Sequence, residues 1–124
     1  GSQCAYLDSL KKIVIPDSVT EVSANAFYAS NLTSISFGSN VSTIGRDAFS
    51  DCNSALYTEY ECGRYVGDSV NPYAILVELT NENLSSYKIN DKTKIIAYGV
   101  FSNCERLSTI VIPDSVTSIG EKAF

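Results

Sequence analysis

The sequence predicts a repeat solenoid built from short β-strands, and three observations carry that reading. A phenylalanine that closes the unit recurs at Phe27, Phe49, Phe101 and Phe124, with spacings of 22, 52 and 23 residues. A leucine that opens it recurs in the same register at Leu10, Leu32, Leu56, Leu84 and Leu107. Between them the string IVIPDSVT occurs twice, at residues 13–20 and 110–117. A unit of this kind has one buried edge and cannot close a core alone, so the copies must stack on one another.

The clearest copy, residues 107–124, shows how each part forms. Thr109, Ile110, Val111 and Ile112 are all β-branched, which suits a pleated strand with Ile110 and Ile112 on one face and Val111 on the other. Pro113-Asp114-Ser115 ends that strand, because proline offers no N–H and Asp and Ser bond locally to the backbone. Val116 to Ile119 resumes extended structure up to Gly120, and Glu121 to Phe124 reads as a single helical turn carrying an apolar anchor. The copy from Leu10 matches this one at its core. The copy from Leu32 keeps Ile35, Phe37, Val41, Ile44 and Phe49 but turns its corner with Gly38-Ser39-Asn40. The copy from Leu84 keeps Ile89, Ile96 and Phe101, uses Asn90-Asp91-Lys92 at the corner, and has Tyr87 at an isoleucine position. Leu32, Ile35, Phe37, Val41, Ile44 and Phe49 are expected to point inward.

Residues 56–83 depart from the pattern and read as an insertion in the middle repeat. Leu56–Glu61 and Arg64–Val66 flank Cys62-Gly63, a β-hairpin with Gly63 supplying the positive φ of a tight turn. Gly67 to Pro72 is a loop, and Tyr73 to Leu79, YAILVEL, is a third strand. Five acids, Glu59, Glu61, Asp68, Glu78 and Glu82, stand here against Arg64 alone, so most of the net charge of −5 is concentrated in this segment. Tyr57, Tyr60, Tyr65 and Tyr73 lie in it as well. Tyrosine gives rigid amphipathic area of the kind interfaces use, and equally it caps a core where an irregular rung leaves gaps.

Composition narrows the function. With 124 residues, 44% of them hydrophobic, the chain is expected to fold as one domain. Nine bases against fourteen acids make a nucleic-acid surface untenable, and no apolar run reaches the length that spans a bilayer. The absence of histidine removes His-based triads and most zinc and iron sites, and the glycines stand singly, outside any phosphate-binding loop, so no catalytic residue, metal or cofactor is expected. Cys52 and Cys104 hold the same phase two rungs apart, about 10 Å, too far for a disulfide, and read as small buried apolar residues. Cys4 and Cys62 have no evident partner. Residues 1–3 read as an expression scar and lead-in, and residues 4–124 as one solenoid. Because the chain starts and stops inside a repeat, it is expected to belong to a longer protein and to associate end to end through an uncapped last strand.

The string IPDSVTSIGEKAF, with AFSDC and FSNC ending two repeats, resembles the BspA-like, or Treponema-type, leucine-rich repeats of bacterial and some protist surface proteins. The resemblance covers roughly residues 10–52 and 84–124, and the block around YECGRYVGDSVNPYAILVEL resembles an insertion in gut-bacterial members. It implies a right-handed solenoid with a parallel sheet on one face, here formed by strands around Ile13, Ile35, Ile89 and Ile110. It also implies a secreted or cell-surface setting and an adhesion or interaction role. Ser36 and Lys88 stand where the best copies have Val14 and Val111, so the outward face is uneven. Two surfaces are candidates for a protein or glycan partner. One is the insertion, through Tyr57, Glu59, Tyr60, Glu61, Tyr65 and Tyr73. The other is the outward sheet face, through Val14, Ser36, Lys88 and Val111. The alternative to a recognition module is a structural spacer that holds other domains of a longer surface protein apart.

Overall fold

The computed structural model describes residues 11–124, so the Leu10 opening and Cys4 lie outside the described residues. The chain winds as a leucine-rich-repeat-like β-solenoid of about five turns with almost no helix. Each regular rung holds two short strands joined at the predicted corner. These are β1 (Lys12–Ile15) with β2 (Glu21–Val22), and β3 (Ser34–Phe37) with β4 (Thr43–Ile44). In the middle rung lie β5 (Thr58–Tyr60), β6 (Gly63–Val66) and β7 (Ile75–Leu79). Beyond it come β8 (Ser86–Lys88) with β9 (Ile95–Ile96), and β10 (Thr109–Val111) with β11 (Ser118–Ile119). The corners close alike in different chemistries: Val19 N–H donates to Pro16 O at 3.1 Å, Val116 N–H to Pro113 O at 3.1 Å, and Thr93 N–H to Asn90 O at 3.0 Å.

Successive rungs pair in parallel and place like residues on like. Ile13 opposes Ile35 and Val14 opposes Ser36 between β1 and β3. Val22 opposes Ile44 between β2 and β4. Tyr87 opposes Ile110 between β8 and β10, so the tyrosine does fill an isoleucine position. Of the expected inward residues, Leu32, Ile35, Val41, Ile44 and Phe49 are buried, while Phe37 is half-buried against the same core. The closing phenylalanines stack face to face in two columns, Phe27 on Phe49 at 5.4 Å and Phe101 on Phe124 at 5.1 Å.

The closing segments are tandem turns, where one helical turn was expected. Asn25, Asp47, Gly99 and Lys122 occupy one repeat position and all adopt positive φ, between 55° and 68°. A left-handed residue ends any α-helix, and it aims alternate amides out of the rung. They bond to the next rung instead: Asn25, Phe27 and Ala29 N–H donate to Arg46, Ala48 and Ser50 O at 2.9–3.0 Å. Gly99 and Phe101 N–H donate likewise to Glu121 and Ala123 O. Gly45 is needed where the rungs meet, because a Cβ there would collide with the backbone of Ser23 and Ala24. The one helical turn among the described residues is a 3₁₀ turn at Ser54–Leu56, capped by Asn53 Oδ1 accepting from Ala55 N–H at 2.9 Å.

The insertion corrects two further expectations. The hairpin turn is Glu61-Cys62, with φ of 45° and 64°, and Gly63 is the first residue of β6. Two left-handed residues match the twist of the strands they join. Glycine suits the next position because a Cβ on Gly63 would lie 3.0 Å from both Leu76 Cδ1 and the Tyr65 ring, which would have to give way. The parallel sheet is also not continuous. β1 pairs with β3 and β8 with β10, but the residues between them form the loop 67–71. Pro72 follows that loop, and Asp68 Oδ1 holds it closed by accepting from Val70 and Asn71 N–H, both at 2.9 Å. Ile35 N–H donates to Gly67 O at 3.0 Å and Ser36 Oγ to Asp68 Oδ2 at 2.6 Å, so the loop takes the place of a strand. The second ladder breaks as well, with β2 and β4 forming a sheet of their own, while β7 lies parallel to β9 within a five-stranded sheet of order β11-β9-β7-β6-β5.

Phe49 is 3% exposed and is held between ring stacking and apolar packing. Phe49→Ala is expected to cost about 3–5 kcal/mol in urea unfolding, as a large core ring does when its neighbours cannot collapse into the void. A loss below about 1 kcal/mol would show that the phenylalanine column does not carry the stack.

Candidate functional site

In the insertion, hairpin register decides which side chains meet. The two-residue turn sets Glu59 opposite Arg64, and β6 in turn sets Arg64 opposite Glu78. Arg64 therefore lies between two carboxylates, with Nε 3.5 Å from Glu59 Oε1 and an η-nitrogen 3.3 Å from Glu78 Oε1. Its guanidinium also rests over the Tyr57 ring, 5.5 Å from the centroid. Sequence reasoning missed this hub. Counting outward from a two-residue turn at Glu61-Cys62 would have paired Glu59 with Arg64.

Tyr57 is tied down at its other end. Cys52 N–H donates to its hydroxyl at 3.2 Å, and that hydroxyl donates to Phe49 O. Burial is the main force that pushes its pKa up to about 12. With Asp51, Cys52, Glu59, Arg64 and Glu78, Tyr57 lines a groove of about 560 Å³.

The other tyrosines divide. Tyr65 is 1% exposed, its hydroxyl accepting from Asn90 N–H at 3.2 Å, so it belongs to the core and leaves the expected contact set. Tyr60 and Tyr73 are half-buried and meet Tyr65 and each other edge to face at 5.6–6.4 Å. Glu59 and Glu61 are exposed.

On the outward sheet face Val14 and Val111 are each 75% exposed, and Lys88 is exposed. Ser36 is half-buried and committed to Asp68, whose carboxyl is held below the usual carboxylate range first by the Ser36 hydroxyl and then by the Asn71 amide. The loop at 67–71 parts Val14 and Ser36 from Lys88 and Val111, so the candidate surface is two patches rather than one.

Cys104 is buried with Sγ 3.8 Å from the Tyr87 hydroxyl, whereas Cys52 is half-buried and its Sγ donates to Phe27 O at 3.2 Å. The expectation of burial holds for the first of these and not for the second. Cys52, Cys62 and Cys104 are all free thiols. No group of three or more metal-ligating side chains is gathered among the described residues. No helix among them is long and apolar enough to cross a membrane.

The family model of the BspA-type leucine-rich repeat region matches residues 1–63 and 78–124 in six copies. The chain belongs to the BspA-type leucine-rich repeat family. The match leaves out residues 64–77, which carry Arg64, Tyr65, Asp68 and Tyr73, but includes Tyr57, Glu59 and Glu78, the residues that surround Arg64. Among solved structures the chain is similar to the leucine-rich repeat protein TpLRR of T. pallidum, with 26% identity, coverage of 90% of this chain and 52% of that one, and a TM-score of 0.44. The chain thus spans about half the length of that protein. No curated protein matches the sequence. Membership of the family makes the chain a repeat module for protein interaction.

Folding keeps the Tyr57 proton on between the ordinary phenol value of 10.0 and about 12. Its contribution to stability is therefore full below pH 10 and is lost as pH rises toward about 12. Tyr57→Phe is expected to cost about 1–2 kcal/mol at neutral pH, since Cys52 N–H and Phe49 O both lose a partner. It should also make the alkaline decline in stability shallower. Unfolding in urea across that range measures both, and identical alkaline slopes would show that Tyr57 is not the group responsible.

Proposed function

We propose that this chain is a non-catalytic recognition module of a secreted or cell-surface protein, and that it takes a protein partner with a basic face through the acidic, tyrosine-lined groove of its insertion. The groove built from Tyr57, Glu59, Arg64 and Glu78 is the observation that carries the reading. Arg64 neutralises part of two carboxylates, while Glu59 and Glu61 stay exposed to steer an incoming cation. A protein is preferred over a glycan because the aromatic faces are spent inside the fold. Arg64 covers Tyr57, Tyr65 is buried, and Tyr60 and Tyr73 pack edge to face. A sugar would need an open ring face to stack on. The family supplies the setting, since BspA-type repeats are often surface-associated.

The test is a binding screen against extracellular-matrix proteins and glycans, repeated with Glu59→Lys combined with Glu61→Lys, and separately with Val14→Glu combined with Val111→Glu. The expected result is a protein ligand whose affinity falls with salt and drops at least about fivefold, or ~1 kcal/mol, in the first variant but not in the second. A salt-insensitive glycan binder would overturn the choice of partner. A ligand that ignores both variants, or the absence of any ligand, would favour the spacer role instead.

A further inference from the structure

Where the insertion leaves the solenoid, the stack of closing turns is interrupted, and the two broken faces look at each other across a cleft. In the intact parts of the stack, amides at alternate positions of one rung donate to carbonyls of the next. Asn25 and Phe27 N–H bond to Arg46 and Ala48 O, and Gly99 and Phe101 N–H to Glu121 and Ala123 O. By the same register the second rung should donate from Asp47 and Phe49 N–H into a third, and a third rung should donate into Tyr98, Val100 and Ser102 O. No turn among the described residues fills that place. β7 follows β9 only through Ile75 and Leu76 and then continues beside β6. Asp47 and Phe49 N–H find no acceptor, and Tyr98, Val100 and Ser102 O no donor, among the described residues.

The rungs touch at one end of the gap, where Tyr98 N–H reaches Ile44 O at 3.3 Å. From that pinch a cleft of about 540 Å³ runs between segments 45–50 and 97–103, with Val77 and Leu79 on its floor. Both are half-buried, so the floor still offers apolar surface.

We propose that this cleft is a docking site for an extended peptide segment of a partner protein, which completes the missing turn. Its carbonyls accept from Asp47 and Phe49 N–H, its amides donate to Tyr98 and Val100 O, and an apolar side chain covers Val77 and Leu79. The occupant is polypeptide because one wall offers amides and the other carbonyls at two-residue spacing. A backbone answers both walls at once, and the intact rungs on either side show that arrangement filled. The cleft meets the Tyr57 groove at Glu78, which lines both, but the proposal uses the backbone of residues 47–49 and 98–100 and depends on neither the groove nor the outward sheet faces.

The experiment uses the whole 124-residue chain labelled with ¹⁵N and a heptapeptide with the sequence of residues 45–51, GRDAFSD, a segment that already stacks in this way. Before peptide is added, Asp47 and Phe49 amides should exchange with solvent faster than Asn25 and Phe27 amides. Titration should shift Asp47, Phe49 and residues 98–102, and slow exchange at the two free amides. Methylating the peptide nitrogens of its aspartate at position three and its phenylalanine should weaken binding roughly tenfold, since two hydrogen bonds are removed. No binding at millimolar peptide, shifts elsewhere, or equal affinity of the methylated peptide would each overturn the proposal. Concentration-dependent shifts at the same residues without peptide would assign the cleft to a second copy of this chain, and would overturn it too.

Discussion

The constraint on which the rest depends is that every rung must offer its neighbour the same backbone pattern at the same height. A short rung satisfies only some of its amides and carbonyls within itself, as Val19 N–H does on Pro16 O, so the others depend on the rungs above and below. That requirement fixes the repeat length, because an added or missing residue would move Ile35 off Ile13 and Ile44 off Val22. The apolar column is then assembled automatically. Isoleucine lies on isoleucine, Phe49 on Phe27 and Phe124 on Phe101, and most of the stabilisation comes from the area these layers remove from water. The hydrogen bonds contribute less net energy, but leaving them unmade in the interior would be costly.

The insertion shows what happens when one rung meets only part of that requirement. β7 continues the second ladder on the β9 side only, and the β4 side is joined to the rung beyond by the bond from Tyr98 N–H to Ile44 O. In the first ladder a loop substitutes one carbonyl, that of Gly67, and one carboxylate, that of Asp68, for a strand. Along the closing turns nothing among the described residues substitutes. The three outcomes follow from how far the inserted chain runs parallel before it pairs with its own hairpin. They explain why the accessible chemistry of this protein gathers around residues 44–103 rather than along the regular copies.

Charge is arranged with the same economy of position. Arg64 is the sole base of the insertion, and hairpin register places it between Glu59 and Glu78 and over Tyr57. Ion pairs this exposed contribute little to stability, so their consequence is orientation. They hold the guanidinium over the Tyr57 ring, 5.5 Å from its centroid, and leave Glu59 exposed to solvent.

The sequence by itself determined the solenoid, its period and most of its core, because a 22–23 residue spacing with leucine, isoleucine and phenylalanine in fixed order has few ways to bury itself. Leu32, Ile35, Val41, Ile44 and Phe49 could be assigned inward from alternation and register alone. The turn chemistry was less legible. Lys122 and Asp47 carry no signal for positive φ as strong as that of Gly99, and the left-handed residues that replace a helical turn accompany backbone bonding to a neighbouring rung, the next for Asn25 and Gly99 and the preceding for the turns of Asp47 and Lys122. Tertiary structure alone decided the fate of the tyrosines, since Tyr65 enters the core while Tyr57, one strand away, lines a groove. It also decided where the outward face breaks and where the stack is left open. Those outcomes depend on which of two competing neighbours, the next rung or its own hairpin, each strand of the insertion pairs with, and a linear pattern of apolar and polar residues is compatible with both.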